Sequence, residues 1–119
     1  MNKNKVTFIL HKPQLSENIG ACARAIKNFN FQKLYLIDPK PIFPNDKILA
    51  TSVGAKDIIK KSKVFNNLES SLGDIDILIA TSARFRNKNV KHINLEGLKK
   101  IDFGKKIGFL FGSEASGLS

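Results

Sequence analysis

The chain has 119 residues, 42% of them hydrophobic, and its 20 Lys and Arg against 10 Asp and Glu give a formal net charge of +10. That length supports one domain with one core, and no apolar run reaches the roughly 18 to 20 residues that cross a bilayer. The N-terminal MNKNKVTFILHKP breaks its apolar stretch after five residues, too soon for a secretory signal, so a cytoplasmic protein without a membrane segment is expected. Cys22, the one cysteine, excludes an internal disulfide and a cysteine-based zinc site, and two distant histidines offer no metal-ligand spacing.

The positive excess is spread along the sequence and is not gathered in a tail. A folded domain this basic ordinarily meets a polyanion, most often nucleic acid; the competing source of the charge is lysine-favouring codon usage in an AT-rich genome.

In chain order, Val6–Leu10 is apolar and β-branched and reads as a buried strand. The spacing of Ile19, Cys22 or Ala23, Ile26 and Phe29 predicts a helix from Ser16, with Ser16 as its N-cap and Asn30 as its left-handed C-terminal cap. Lys33–Ile37 reads as a second strand, ended by Asp38-Pro39 and a proline-punctuated turn. A short helix is expected over Asp46–Ser52, an extended piece near Val64-Phe65, a helix around Leu68–Leu72 and a central strand over Asp76–Thr81. Ser82–Asn89 is a basic loop, Leu95–Lys100 a marginal helix, and Ile107–Phe111 the last strand. Apolar strands separated by helices predict an α/β domain: a mostly parallel sheet covered by helices on both faces.

In such sheets ligands bind at the carboxyl ends of strands. Three loops follow strands and turn abruptly to small or polar residues: His11 to Arg24, Thr81 to Arg86, and Gly112 to Ser119. In the first, Asn18 and Arg24 are six positions apart, which on a helix turns roughly 600° and leaves them roughly 120° apart. They line one cleft only if Asn18 sits at the helix start; otherwise Asn18 is a capping residue and Arg24 a solvated charge. The last loop, Gly112-Ser-Glu-Ala-Ser-Gly-Leu-Ser119, has the glycine and serine spacing of a phosphate loop. Leu118, however, stands where that loop needs its lysine, which argues against a nucleoside triphosphate site.

Taken in order, Asn18-Ile-Gly-Ala-Cys-Ala-Arg24, Leu34-Tyr-Leu-Ile-Asp-Pro39, Thr81-Ser-Ala-Arg84 and Phe111-Gly-Ser-Glu-Ala-Ser-Gly-Leu118 resemble the SpoU (TrmH-like) branch of the SPOUT RNA 2′-O-ribose methyltransferases. The Thr-Ser-Ala-Arg tetrad and the Asp-Pro after the second strand are most similar to its TrmJ subgroup, which modifies a ribose in the tRNA anticodon loop. The resemblance covers essentially the whole chain. It implies a SPOUT-type α/β knot domain over residues 1–119, S-adenosyl-L-methionine as cofactor, RNA (tRNA above all) as partner, a homodimer, and no metal.

By the same resemblance, Thr81, Ser82, Ala83 and Gly112 would contact the cofactor, and Glu114 would order the site loops and Asn18. Arg24 matches the arginine proposed to act on the ribose 2′-hydroxyl. A guanidinium, with a pKa above about 12, is a poor general base; gripping a phosphate and stabilising the charge on the departing hydroxyl suits it better. The family continues through a third motif, Ser-Leu-Asn, that completes the cofactor pocket, forms the knot and supplies much of the dimer interface. The expectation is therefore a domain truncated before that motif, with an RNA-binding remnant without catalysis as the alternative to an enzyme.

Overall fold

Short apolar runs pair into one parallel sheet because each can bury both of its faces only between two layers of helix. The computed structural model describes residues 3–80 and 104–112. In chain order the elements are β1 (Val6–His11), α1 (Ser16–Asn28), β2 (Lys33–Ile37), α2 (Asp46–Thr51), α3 (Lys56–Lys61), β3 (Lys63–Phe65), α4 (Leu68–Ser71), β4 (Ile77–Ala80) and β5 (Ile107–Phe111). Single 3-10 turns precede β1 and follow α4.

The strand order is β3-β2-β1-β5-β4, with every neighbouring pair parallel. The chain steps outward from β1 to β3, crosses to β4 at the far edge, and comes back to β5. Parallel crossovers are right-handed, so the outward steps put α1, α2 and α3 on one face and the long crossover from β3 to β4 puts α4 on the other. Each face has its own core. Ile19, Ala23 and Ile26 of α1 pack with Leu34, Leu36, Ile48 and Ile58 on the first; Ile9, Ile37, Leu78 and Leu110 pack with Leu68 of α4 on the second. The expected helices on both faces are therefore present.

Helix α1 ends as its sequence predicts. Asn30 takes the left-handed conformation (φ +63°), its N–H donates to Lys27 O at 3.0 Å, and Phe31 N–H donates to Ile26 O at 2.9 Å. These are the paired bonds of a Schellman cap. Its start departs from expectation: Leu15 holds the N-cap position without a side-chain bond, while the Ser16 hydroxyl accepts from Asn45 Nδ2 at 3.0 Å. Phe29, expected on the buried stripe, is 68% exposed, because it is the C-cap and has left the helical register. Helix α3 was not expected at all; six residues are too few to display a period, although Ile58 and Ile59 are buried. The expected helix over Leu95–Lys100 lies outside the described residues.

Gly20, in the middle of α1, is where α1 crosses α2. A Cβ there would run into the Thr51 side chain and come within 2.9 Å of Thr51's carbonyl carbon. Backbone cannot swing away as a flexible side chain can, so the close approach requires glycine even though alanine is the better helix former by about 1 kcal/mol. Gly20→Ala is therefore expected to destabilise the fold by roughly 1–3 kcal/mol through overpacking, measured by chemical denaturation; a gain in stability would show that α1 and α2 are free to separate.

Candidate active site at the carboxyl edge of the sheet

The register carries one row across all five strands: Ala80, Leu110, Ile9, Tyr35 and Lys63. The strands consequently finish almost level, and the loops that follow them share one edge. On two seams the residue after the strand turns back to close the gap. Lys12 (φ +52°) donates its N–H to Ile37 O at 2.7 Å, and Asp38 (φ +45°) donates to Phe65 O at 2.8 Å. Left-handed conformations at non-glycine residues are uncommon and occur where surrounding structure enforces them. Lys40 N–H then donates to Pro13 O at 2.9 Å, tying the loop after β2 to the loop after β1. The seam between β1 and β5, where the strand order reverses, is where an open α/β sheet places its ligand.

Three side-chain contacts fix α1 over that edge. Asn45 caps α2 by accepting from Ile48 N–H at 2.8 Å while its amide donates to Ser16 Oγ and, at 2.9 Å, to Ile42 O. Glu17 pairs with Lys47 of α2 at 3.1 Å, and Lys27 pairs with Asp57 of α3 at 2.7 Å. The Lys27 hydrogen bond holds the Asp57 carboxyl below its ordinary value; a backbone hydrogen bond, and then Lys47, does the same for Glu17. Asn45 was not singled out from the sequence, although an Asn directly before Asp46 and the apolar Ile48 is a helix-start signal.

Asn18 occupies the first turn of α1 and is exposed. It lies one turn before Cys22 on the stripe that continues through Ile26, on the side of α1 that faces Phe111 of β5. Gly112 directly follows Phe111, so Asn18 and Gly112 stand at the ends of adjacent strands. Arg24 is not gathered with them. It is exposed, about 9 Å further along the helix axis, on the stripe that carries Gly20, and it has no ion pair among the described residues. Thr81, Ser82, Ala83 and Glu114 lie outside the described residues; Ala80, the residue before Thr81, ends β4, the neighbour of β5.

Other chemistry at this edge is limited. Burial pushes the Cys22 thiol up to about 11, so it is protonated near neutrality and does not serve as a nucleophile. A groove of about 290 Å³ beside α1, lined by Phe8, Leu10, Cys22, Ile26, Phe29 and Phe111, is almost wholly apolar. Among the described residues there is no cluster of metal-binding side chains, and no helix long and apolar enough to cross a membrane.

His11, the last residue of β1, has its pKa lowered, first by burial and then by Lys12, with Asp38 opposing. A histidine whose folded pKa is depressed contributes stability above its ordinary value of 6.5 that is lost as pH falls through that value toward the folded one. Denaturation midpoints should therefore drop between pH of about 7.5 and about 5.5, and His11→Gln should flatten that slope. An unchanged slope in the variant would place the pH dependence elsewhere.

Comparison with known proteins places these observations in a family. The model of the SpoU rRNA Methylase family matches residues 5–119. A tRNA (cytidine-2′-O-)-methyltransferase TrmJ of Methanocaldococcus jannaschii is 33% identical over 95% of this chain and 51% of its own length. An uncharacterized tRNA/rRNA methyltransferase, LasT, of Escherichia coli K12 is 37% identical over 97% of this chain and 52% of its own. The crystal structure of TrmJ from Z. mobilis ZM4 superposes with a TM-score of 0.78 at 29% identity, covering 95% of this chain and 52% of that one. The chain thus spans about half the length of the curated relatives it matches. With the matched family model covering nearly every residue, and a parallel sheet of the same architecture beneath it, the chain belongs to the SpoU methylase family.

Proposed function

We propose that this chain carries the methyl-transfer site of an S-adenosylmethionine-dependent RNA 2′-O-ribose methyltransferase that acts on tRNA, on a ribose of the anticodon loop, as a homodimer. The observation that carries the reading is the sheet order. The motif-bearing segments after β1, β4 and β5 are far apart in sequence, yet they follow three adjacent strands at one edge, beside the reversal point. The name borne by the relative from M. jannaschii, a tRNA (cytidine-2′-O-)-methyltransferase, supports 2′-O-methylation and a tRNA substrate.

The described part of the edge fits the cofactor. Gly112 offers backbone without a side chain at the end of β5, and the first turn of α1 adds the Asn18 carboxamide, which can donate and accept. S-adenosylmethionine, when bound, supplies an electrophilic methyl group on a sulfonium, so the protein need only position the ribose oxygen and manage its proton. We assign Thr81, Ser82, Ala83 and Gly112 to holding the cofactor, and Asn18 with Glu114 to ordering the loops around it. Arg24 takes the RNA side. Side chains on a helix lean toward its N-terminus, which brings the Arg24 guanidinium back toward the edge from outside the cofactor's stripe. From there it grips a phosphate and stabilises negative charge on the 2′-oxygen.

Single-turnover transfer of a tritiated methyl group to saturating unmodified tRNA tests these roles. Arg24→Ala should slow transfer on the order of 10²–10³-fold, the loss typical of one charge-stabilising donor, with cofactor affinity unchanged. Arg24→Lys keeps the charge and loses the planar fork, so a comparable loss there assigns the effect to geometry. Near-normal turnover in Arg24→Ala would return the residue to a solvated helix charge.

A further inference from the structure

Among the described residues, lysines that are scattered in sequence gather where the strands begin. At the carboxyl edge, the described cations Lys12, Lys40 and Lys47 stand against Glu17, Asp38 and Asp46, and one pair of these is a salt bridge. At the opposite pole, where the strands begin, Lys33 opens β2, Lys105 and Lys106 lead into β5, and Lys60 and Lys61 end α3 beside the start of β3. All five are exposed, and none has an ion pair among the described residues.

The carboxylates at that pole offset them only in part. Asp57 is taken by Lys27, Asp76 accepts the backbone N–H of Lys106 at 3.0 Å, and Asp74, hydrogen-bonded to Tyr35, shares a cleft with Lys33, Lys61 and Lys63. Two further lysines brace the surface: Lys3 Nζ donates to Phe29 O at 2.8 Å and Lys5 Nζ to Gly104 O at 2.7 Å. Between the end of α1, the start of β2 and α3 lies a polar cleft of about 170 Å³ lined by Lys27, Asn30, Gln32, Asp57 and Lys61.

We propose that this lysine pole is a second RNA-contact surface, remote from the reacting ribose, that grips backbone phosphates of the tRNA body. The inference rests on the RNA reading given under Proposed function. It separates affinity from chemistry, because the pole lies about 20 Å, one strand length, from the carboxyl edge. Phosphate contacts of this kind position a nucleic acid without reading its sequence.

The test compares the parent chain with two variants altered at Lys33, Lys60, Lys61, Lys105 and Lys106, one with all five changed to Gln and one with all five changed to Arg. Binding of an unmodified tRNA transcript is measured from about 50 to about 300 mM KCl, beside single-turnover methyl transfer. Each lost phosphate contact removes close to one unit from the salt slope, so the Gln variant should show a slope shallower by about 2 and affinity at least about tenfold weaker at about 0.1 M salt. The Arg variant should match the parent, and the transfer rate at saturating tRNA should change by less than about threefold, as binding without chemistry requires. Parent-like affinity and slope in the Gln variant, with the parent still methylating tRNA, would overturn the pole and leave the proposed function standing. The predicted loss in a protein that methylates no RNA would leave the pole standing and overturn the function.

Discussion

The pairing of β1 with β5 is the contact on which the rest of the structure depends. Val6 meets Ile107 and Leu10 meets Phe111, joining segments about a hundred residues apart. That pairing makes the first strand of the chain the centre of the sheet and creates the reversal point. It also sets the start of α1 next to Gly112. Pairing over so long a separation forms slowly, since the loop entropy is lost before the contact is gained. Its strength comes from Ile9 paired with Leu110 and Val6 paired with Ile107, all buried, and from Phe8 stacking on Phe109 and Phe111 at centroid distances of 5.8 and 6.2 Å.

From that seam the remaining geometry follows by support from neighbours. Helix α1 lies across the first face because Ile19, Ala23 and Ile26 fill it, and its rotation is set by Gly20 against Thr51. Its two ends are then pinned by neighbouring helices, through Asn45 and Lys47 at the start and Asp57 at the finish. Exposed ion pairs of this kind contribute little stability. Their effect here is orientation: they hold the turn that carries Asn18 over the strand ends.

Much of this was legible in the sequence, for identifiable reasons. The strands β1, β2 and β5 are uninterrupted apolar runs, and α1 shows a full helical stripe with Asn30 as its stop. The carboxyl-edge location of the candidate loops followed from the parallel architecture alone. What escaped were features that depend on tertiary neighbours. Ser16 gave up the cap role because Asn45, twenty-nine residues away, occupies its hydroxyl. Phe29 left the core because the chain turns one residue earlier than the stripe suggests. The placement of Lys33, Lys61 and Lys105 at one pole was invisible, since lysines distant in sequence come to the same edge only when the strands align. Arg24's separation from Asn18 was stated by helical rotation, and the fold left it in place.

The location of the site is most directly tested by titrating S-adenosylmethionine into the isotopically labelled chain and following backbone amide shifts, a readout that reports weak binding as well as strong. Perturbations at Lys12, Asn18, Ile19 and Gly112, with Lys33, Lys61 and Lys105 silent, are the expected result. Shifts centred on the lysine pole or on the apolar groove beside Phe29, with the carboxyl edge silent, would contradict it.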